Sequence, residues 1–231
     1  MTFFSFQDDA PAAGWTTVAT AADETRELIL PDGSVVSLNE QTRLSYNTDL
    51  NTAAERTIEL EGEAFFDVKR RPEQPFKIRT QRAQVEVLGT SFNVRALAGT
   101  ARTEVEVSTG QVAVRGLGEG EETVLLEATD AVVVEDDYQL FLHNNSPLNS
   151  GAWRTGELQF RSSNLGEALE IIERIYQVDL RWDPAAISNC TITGNWATEN
   201  FSDILLILEE LTGMKIRSVG EKAYQFSGTC R

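Results

Sequence analysis

Few residues of this chain have types and spacings that could carry reaction chemistry. Cys190 and Cys230 are the only cysteines and His143 the only histidine. Two thiols and one distant imidazole do not make a zinc set, so no metal is expected. Ser-His-Asp or Cys-His catalysis would have to run through His143, and no Gly-x-Ser-x-Gly elbow is present. A lone histidine at the end of a β run, before Asn144-Asn145, reads as a surface residue. Carboxylates recur in Glu61/Glu63, Glu104/Glu106 and Glu135/Asp136/Asp137. Residues i and i+2 of a strand share a face, so Glu104 and Glu106 could act as the acid pair of a glycoside hydrolase. The commoner origin of such a pair in an acidic chain is the solvent face of a strand, with Val105 and Val107 inward, and that reading is adopted. A carbohydrate-active or carbohydrate-binding β protein stays as the alternative. No phosphate loop, Walker sequence or dinucleotide fingerprint occurs. No cofactor, catalytic residue or enzymatic activity is expected.

Residues suited to binding are easier to find. Arg70-Arg71 precedes Pro72 in a loop, and a double arginine in an acidic protein pairs with its own carboxylates or meets an acidic partner. Trp182, Trp196 and Phe201 serve either as core or as interface anchors. These five are the candidate partner contacts. The chain has 231 residues, 41% apolar and 24% charged, ordinary for one or two globular domains. Its net charge of −16 argues against a nucleic-acid partner and disfavours an anionic membrane surface. There is no run of 18 apolar residues to span a bilayer, and Met1–Phe6 is too short for a signal peptide.

The elements that position these residues follow two grammars. Residues 1–22 are weakly patterned and read as a linker or arm on which Trp15 can dock. From Arg26 to Leu142 short β-branched and aromatic runs alternate with turns such as Pro31-Asp32-Gly33-Ser34 and Thr109-Gly110-Gln111. Arg56–Glu61 and Ala64–Lys69 read as two strands with a turn at Glu61-Gly62-Glu63. No helical stretch appears before about residue 160. An irregular all-β domain, two-sheet and solenoid- or sandwich-like, is expected over 23–145. The turn-rich segment 146–152 reads as a linker.

The segment 153–231 is duplicated. Phe160–Glu173 superimposes on Trp196–Glu209 at a constant offset of 36 positions, and the match continues through Leu180 and Ile216. Each copy reads strand, helix, strand, with Asn164 as N-cap of the first helix and Gly213 ending the second. Phe201, Ile204, Leu205, Leu208 and Leu211 form the second apolar stripe. Two βαβ halves are expected to form one small lobe, making the chain α+β with two domains.

Four blocks carry a resemblance: Leu30–Ser34, Gly62–Val68, Pro75-Phe76 and Val87–Val94. In order and separation they resemble the FecR family of bacterial transmembrane sensors, many of them anti-sigma factors. The duplicated segment resembles the short N-terminal domain of secretins and TonB-dependent receptors, and the C-terminal domain fused to FecR. The resemblance implies a periplasmic region of a single-pass inner-membrane protein, with the membrane helix and a sigma-binding segment preceding the part seen here. It implies, as partner, the signalling domain of an outer-membrane TonB-dependent transducer, and a relay to a cytoplasmic sigma factor. In an oxidising periplasm Cys190 and Cys230 are expected to pair rather than stay free.

Overall fold

The computed structural model describes residues 14–118, 122–135, 137–143, 149–197 and 200–230. The chain divides into two units, Met1–Ser150 and Gly151–Arg231. Alternating patterns build the first from β1 (Trp15–Ala19), β2 (Arg26–Ile29), β3 (Val35–Leu38), β4 (Arg43–Asn47), β5 (Arg56–Asp67), β6 (Phe76–Arg79) and β7 (Ala83–Val87). It continues with β8 (Ser91–Ala96), β9 (Thr103–Thr109), β10 (Gln111–Gly116), β11 (Thr123–Glu127), β12 (Ala131–Val134) and β13 (Leu140–His143).

These strands form two layers that share one strand. One layer runs β1-β4-β5-β6-β7-β10-β11 and the other β2-β3-β5-β8-β9-β12-β13. The first half of β5 pairs with β4 and β6, where Arg43 faces Glu61 and Arg56 faces Phe76. Its second half pairs with β3 and β8, where Val35 faces Asp67 and Gly62 faces Ala96. The change of layer falls at Gly62, with φ +118°, and a Cβ there would sit 2.5 Å from the Thr42 hydroxyl. That hydroxyl accepts the Glu63 N–H at 2.9 Å. The turn expected at 61–63 is therefore a bend within one continuous strand, of the kind that carries a strand from sheet to sheet. Inward residues of both layers, among them Leu44, Ile58, Leu60, Phe66, Phe92, Val105 and Val114, form one core. Phe66 stacks on Phe92 at 5.4 Å and meets Phe76 edge-on at 6.2 Å.

Part of the expected arm is also sheet. β1 pairs antiparallel with β4, from Trp15 opposite Asn47 to Ala19 opposite Arg43. It is an outer strand and none of its five residues is fully buried, so its alternation is faint in the sequence. Met1–Ala13, and 144–148, which includes the start of the expected linker, lie outside the described residues.

The second unit holds α1 (Ala152–Thr155), β14 (Glu157–Asn164), α2 (Leu165–Tyr176), β15 (Asp179–Arg181), α3 (Pro184–Ile187) and β16 (Thr191–Ala197). It ends with α4 (Phe201–Thr212), β17 (Lys215–Gly220) and β18 (Ala223–Ser227). The copies are β14-α2-β15 and β16-α4-β17, but neither keeps a sheet to itself. Their first strands pair with each other, Leu158 opposite Trp196. Their second strands flank β18, β15 parallel to it and β17 antiparallel. β18, which belongs to no copy, is the central strand of that sheet.

The offset of 36 is realised atom by atom. Asn164 and Asn200 both cap their helices, accepting from Gly166 N–H at 2.8 Å and Ser202 N–H at 3.1 Å. Gln177 and Gly213 both end them in the left-handed conformation, with φ 51° and 70°. Glu173 and Glu209 both reach past the helix end to accept an N–H of the next strand, from Leu180 at 2.6 Å and Ile216 at 2.8 Å. Leu211, expected in the apolar stripe, is instead 47% exposed. Thr212 turns inward in its place, its hydroxyl donating to the Leu208 carbonyl at 2.6 Å.

Candidate interaction site

The loops of the first unit gather on a buried ion pair. Arg56 and Asp32 have fully buried side chains, with Nη1 and Oδ2 2.8 Å apart. Arg56 also donates to the Lys69 and Gln74 carbonyls, both at 2.9 Å, and lies over the Phe76 ring. Ser34 donates to Asp32 through its hydroxyl at 2.7 Å and its N–H at 3.0 Å. Burial pushes the Asp32 carboxyl up, but the two bonds from Ser34 and the Arg56 guanidinium outweigh it and hold the group below its ordinary value. Arg71 joins the same hub, donating to the Asp32 carbonyl at 2.8 Å, to Asn51 at 3.0 Å and to Gln74 at 3.1 Å. Its guanidinium is committed to holding loops together. Arg70 beside it is exposed and has no ion pair among the described residues. A Cβ on Gly89 would run into Arg70 Cα, so glycine is what lets these two segments lie together.

The two carboxylates weighed as an acid pair have separate structural partners. Val105 and Val107 point inward, as expected. Glu104 is not on an open solvent face: it is 4% exposed, with Arg102 at 2.9 Å and Arg95 at 3.5 Å. It lies in register with Arg95 and, beyond that, Glu63, which accepts from Asn39 and Asn93, each at 3.0 Å. Glu106 accepts the Ser150 N–H at 2.7 Å. The outer face of this layer is thus a buried polar network, because Arg95 and Arg102 cover the carboxylates between them. No group of three or more His, Cys, Asp or Glu among the described residues is arranged to hold a metal ion. His143 sits on β13 opposite Ala131.

In the second unit the large aromatics divide. Trp196 is 8% exposed and packs on Phe160 at 5.1 Å. Phe201 stands between Tyr176 at 5.2 Å and Tyr224 at 5.1 Å. Trp182 is half-buried against the same core. Cys190 and Cys230 are joined as a disulfide with Cα atoms 6.0 Å apart. It ties the chain end after β18 to the turn before β16.

One surface open to a partner is one that sequence reasoning did not single out. β17 is an outer strand of its sheet, and only Ile216 among its six residues is even partly buried. Lys215 and Arg217 share one face, and Val219 follows at a bulge between Ser218 and Gly220; all three are exposed. Arg217 stands opposite Gln225 on β18, which stands opposite Arg181 on β15. Arg181 is paired with Asp179 at 2.6 Å, whereas Lys215 and Arg217 have no carboxylate partner among the described residues. The signal was legible in principle: Lys-Ile-Arg-Ser-Val alternates in an acidic chain. Arg56 was legible too, since it stands in the inward phase of Ile58 and Leu60.

Comparison with known proteins bears on both units. Residues 16–113 match the family described as FecR protein, and residues 157–225 match the one described as FecR, C-terminal. Two crystal structures of a putative anti-sigma factor from Parabacteroides distasonis, at 1.65 and 2.50 Å resolution, resemble this chain across both units. The first has 31% sequence identity and a TM-score of 0.70, the second 30% and 0.69. In each case the match covers 93% of this chain and 99% of the other. A search of curated proteins finds no match.

Proposed function

This chain belongs to the FecR family, and we propose that it is the signal-receiving region of an anti-sigma regulator. It works in the periplasm as part of a single-pass inner-membrane protein. It binds the signalling domain of an outer-membrane TonB-dependent transducer and passes the occupancy of that transducer, through the membrane, to a cytoplasmic sigma factor. The observation that carries the reading is the pairing of both family segments, in order, with the likeness over 93% of the chain to a putative anti-sigma factor. The fold supports it. The carboxylates that could have served acid–base chemistry are locked in ion pairs or backbone contacts, whereas the second unit offers an open strand of the sort used in strand-addition recognition. No helix among the described residues is long and apolar enough to cross a membrane.

The test is a promoter read by the sigma factor, measured in cells carrying the full reading frame. Removing residues 151–231 is expected to uncouple promoter activity from the transducer's ligand while the protein still accumulates. Ligand response of normal size in that strain contradicts the reading.

A further inference from the structure

We propose that the edge and exposed face of β17 form the docking surface for the partner, and that the occupant is an extended strand with acidic side chains at alternate positions. The inference rests on the function proposed above and takes the occupant to belong to the transducer's signalling domain. Three observations carry it. First, β17 lies at the outside of its sheet and is regular over Lys215–Ser218, before a bulge at Val219. The outward Ile216 N–H is taken by Glu209, so by strand alternation Ser218 presents the next outward N–H and C=O. Second, Lys215 and Arg217 lie two residues apart on one face without carboxylate partners among the described residues. Side chains directly opposite on neighbouring strands stand about 5 Å apart, so carboxylates spaced i and i+2 on an added strand would meet both cations. Third, charge is unevenly shared. Residues 1–150 hold 12 Lys/Arg against 25 Asp/Glu, and residues 151–231 hold 8 against 11. An acidic partner meets far less repulsion at the second unit than at the first.

Lysine and arginine on an outer strand also guard against unwanted pairing. That role alone does not account for the rest of this surface. The polar row continues inward across all three strands through Gln225 to Arg181, and beyond it Val219, at the bulge that ends the regular pairing of β17, is left 52% exposed.

The experiment is calorimetric titration of the whole chain with the purified signalling domain of the transducer encoded beside it. Wild type, K215E/R217E, S218P, S218A and, as a control in the first unit, R70E are compared in low and high salt. The expected result is saturable binding at about 1:1 by wild type and R70E, weakened by salt. K215E/R217E is expected to bind about tenfold or more weakly, with a flatter salt dependence. S218P, which removes an outward N–H and the hydroxyl's bond to the Gly220 carbonyl but no charge, is expected to weaken binding at both salt concentrations, whereas S218A, which loses only the hydroxyl, is expected to bind like wild type. Folding of each variant is checked by its thermal transition. Binding by K215E/R217E equal to wild type overturns the docking surface and leaves the proposed function standing. Loss in R70E alone moves the surface to the first unit and also overturns it. No binding by folded wild type overturns the surface and the proposed partner together.

Discussion

At the scale of single residues, the first unit depends most on a charge pair that water does not reach. Removing one member of a buried pair leaves the other uncompensated, which typically costs about 3–5 kcal/mol. Arg56→Met is therefore expected to lower the denaturant midpoint of the first unit's transition severely. Arg71→Ala, which removes several bonds of a half-buried side chain, is expected to cost less. The pair also sets a pH dependence. The Asp32 carboxyl is lower in the folded chain than in the unfolded one. Its contribution is therefore fully present above the unfolded value, about 3.9, and is lost as pH falls through the folded value. Asp32→Asn is expected to be less stable than wild type at pH 7, with the gap closing as pH drops below about 4. A gap that stays constant from pH 7 to pH 2 in urea titrations contradicts this assignment. The residues themselves were readable. Asp32 stood in a recognised turn, and Arg56 in the inward phase of a strand. Their meeting was not readable, since 24 positions separate them and only the fold closes that distance.

At the scale of elements, the duplicated unit was legible because helix signals are local. Caps, stripes and terminators lie within one stretch of chain, and an offset of 36 makes each copy a check on the other. Asn164→Ala and Asn200→Ala are each expected to cost about 1 kcal/mol, nearly additively, in thermal unfolding of the second unit. A much larger loss from one of them would break the equivalence of the copies. Strand pairing was less legible, because it is non-local. Nothing in the local pattern of β15 or β17 says that both will flank β18 rather than strands of their own copy. The bend at Gly62 was misread for a related reason: a glycine between two alternating runs looks the same whether the chain reverses or changes sheet. The Cys190–Cys230 bond closes a loop of 40 positions. In the chain-entropy model its loss is expected to cost the second unit up to about 4 kcal/mol. Cys190→Ser with Cys230→Ser is expected to lower that unit's unfolding temperature and leave the first unit's transition unchanged.

At the scale of the whole molecule, the two units differ most in charge. The first is strongly acidic and holds one core between its two layers. The second is closer to neutral and keeps an exposed strand with two cations. Composition argued against a nucleic-acid partner, and the order of sequence blocks pointed to the family. Neither could locate a contact surface, since Trp196 and Phe201, chosen for size, turn out to pack against aromatics of their own unit. The surface proposed above lies on β17, whose side chains read as ordinary solvent-facing residues until their register across the sheet is known. Amide hydrogen exchange of this chain, with and without the transducer's signalling domain, tests the account most directly. It predicts slowed exchange on complex formation along Lys215–Gly220, with β1 to β13 unchanged. Protection confined to the first unit, or none at saturating partner, contradicts it.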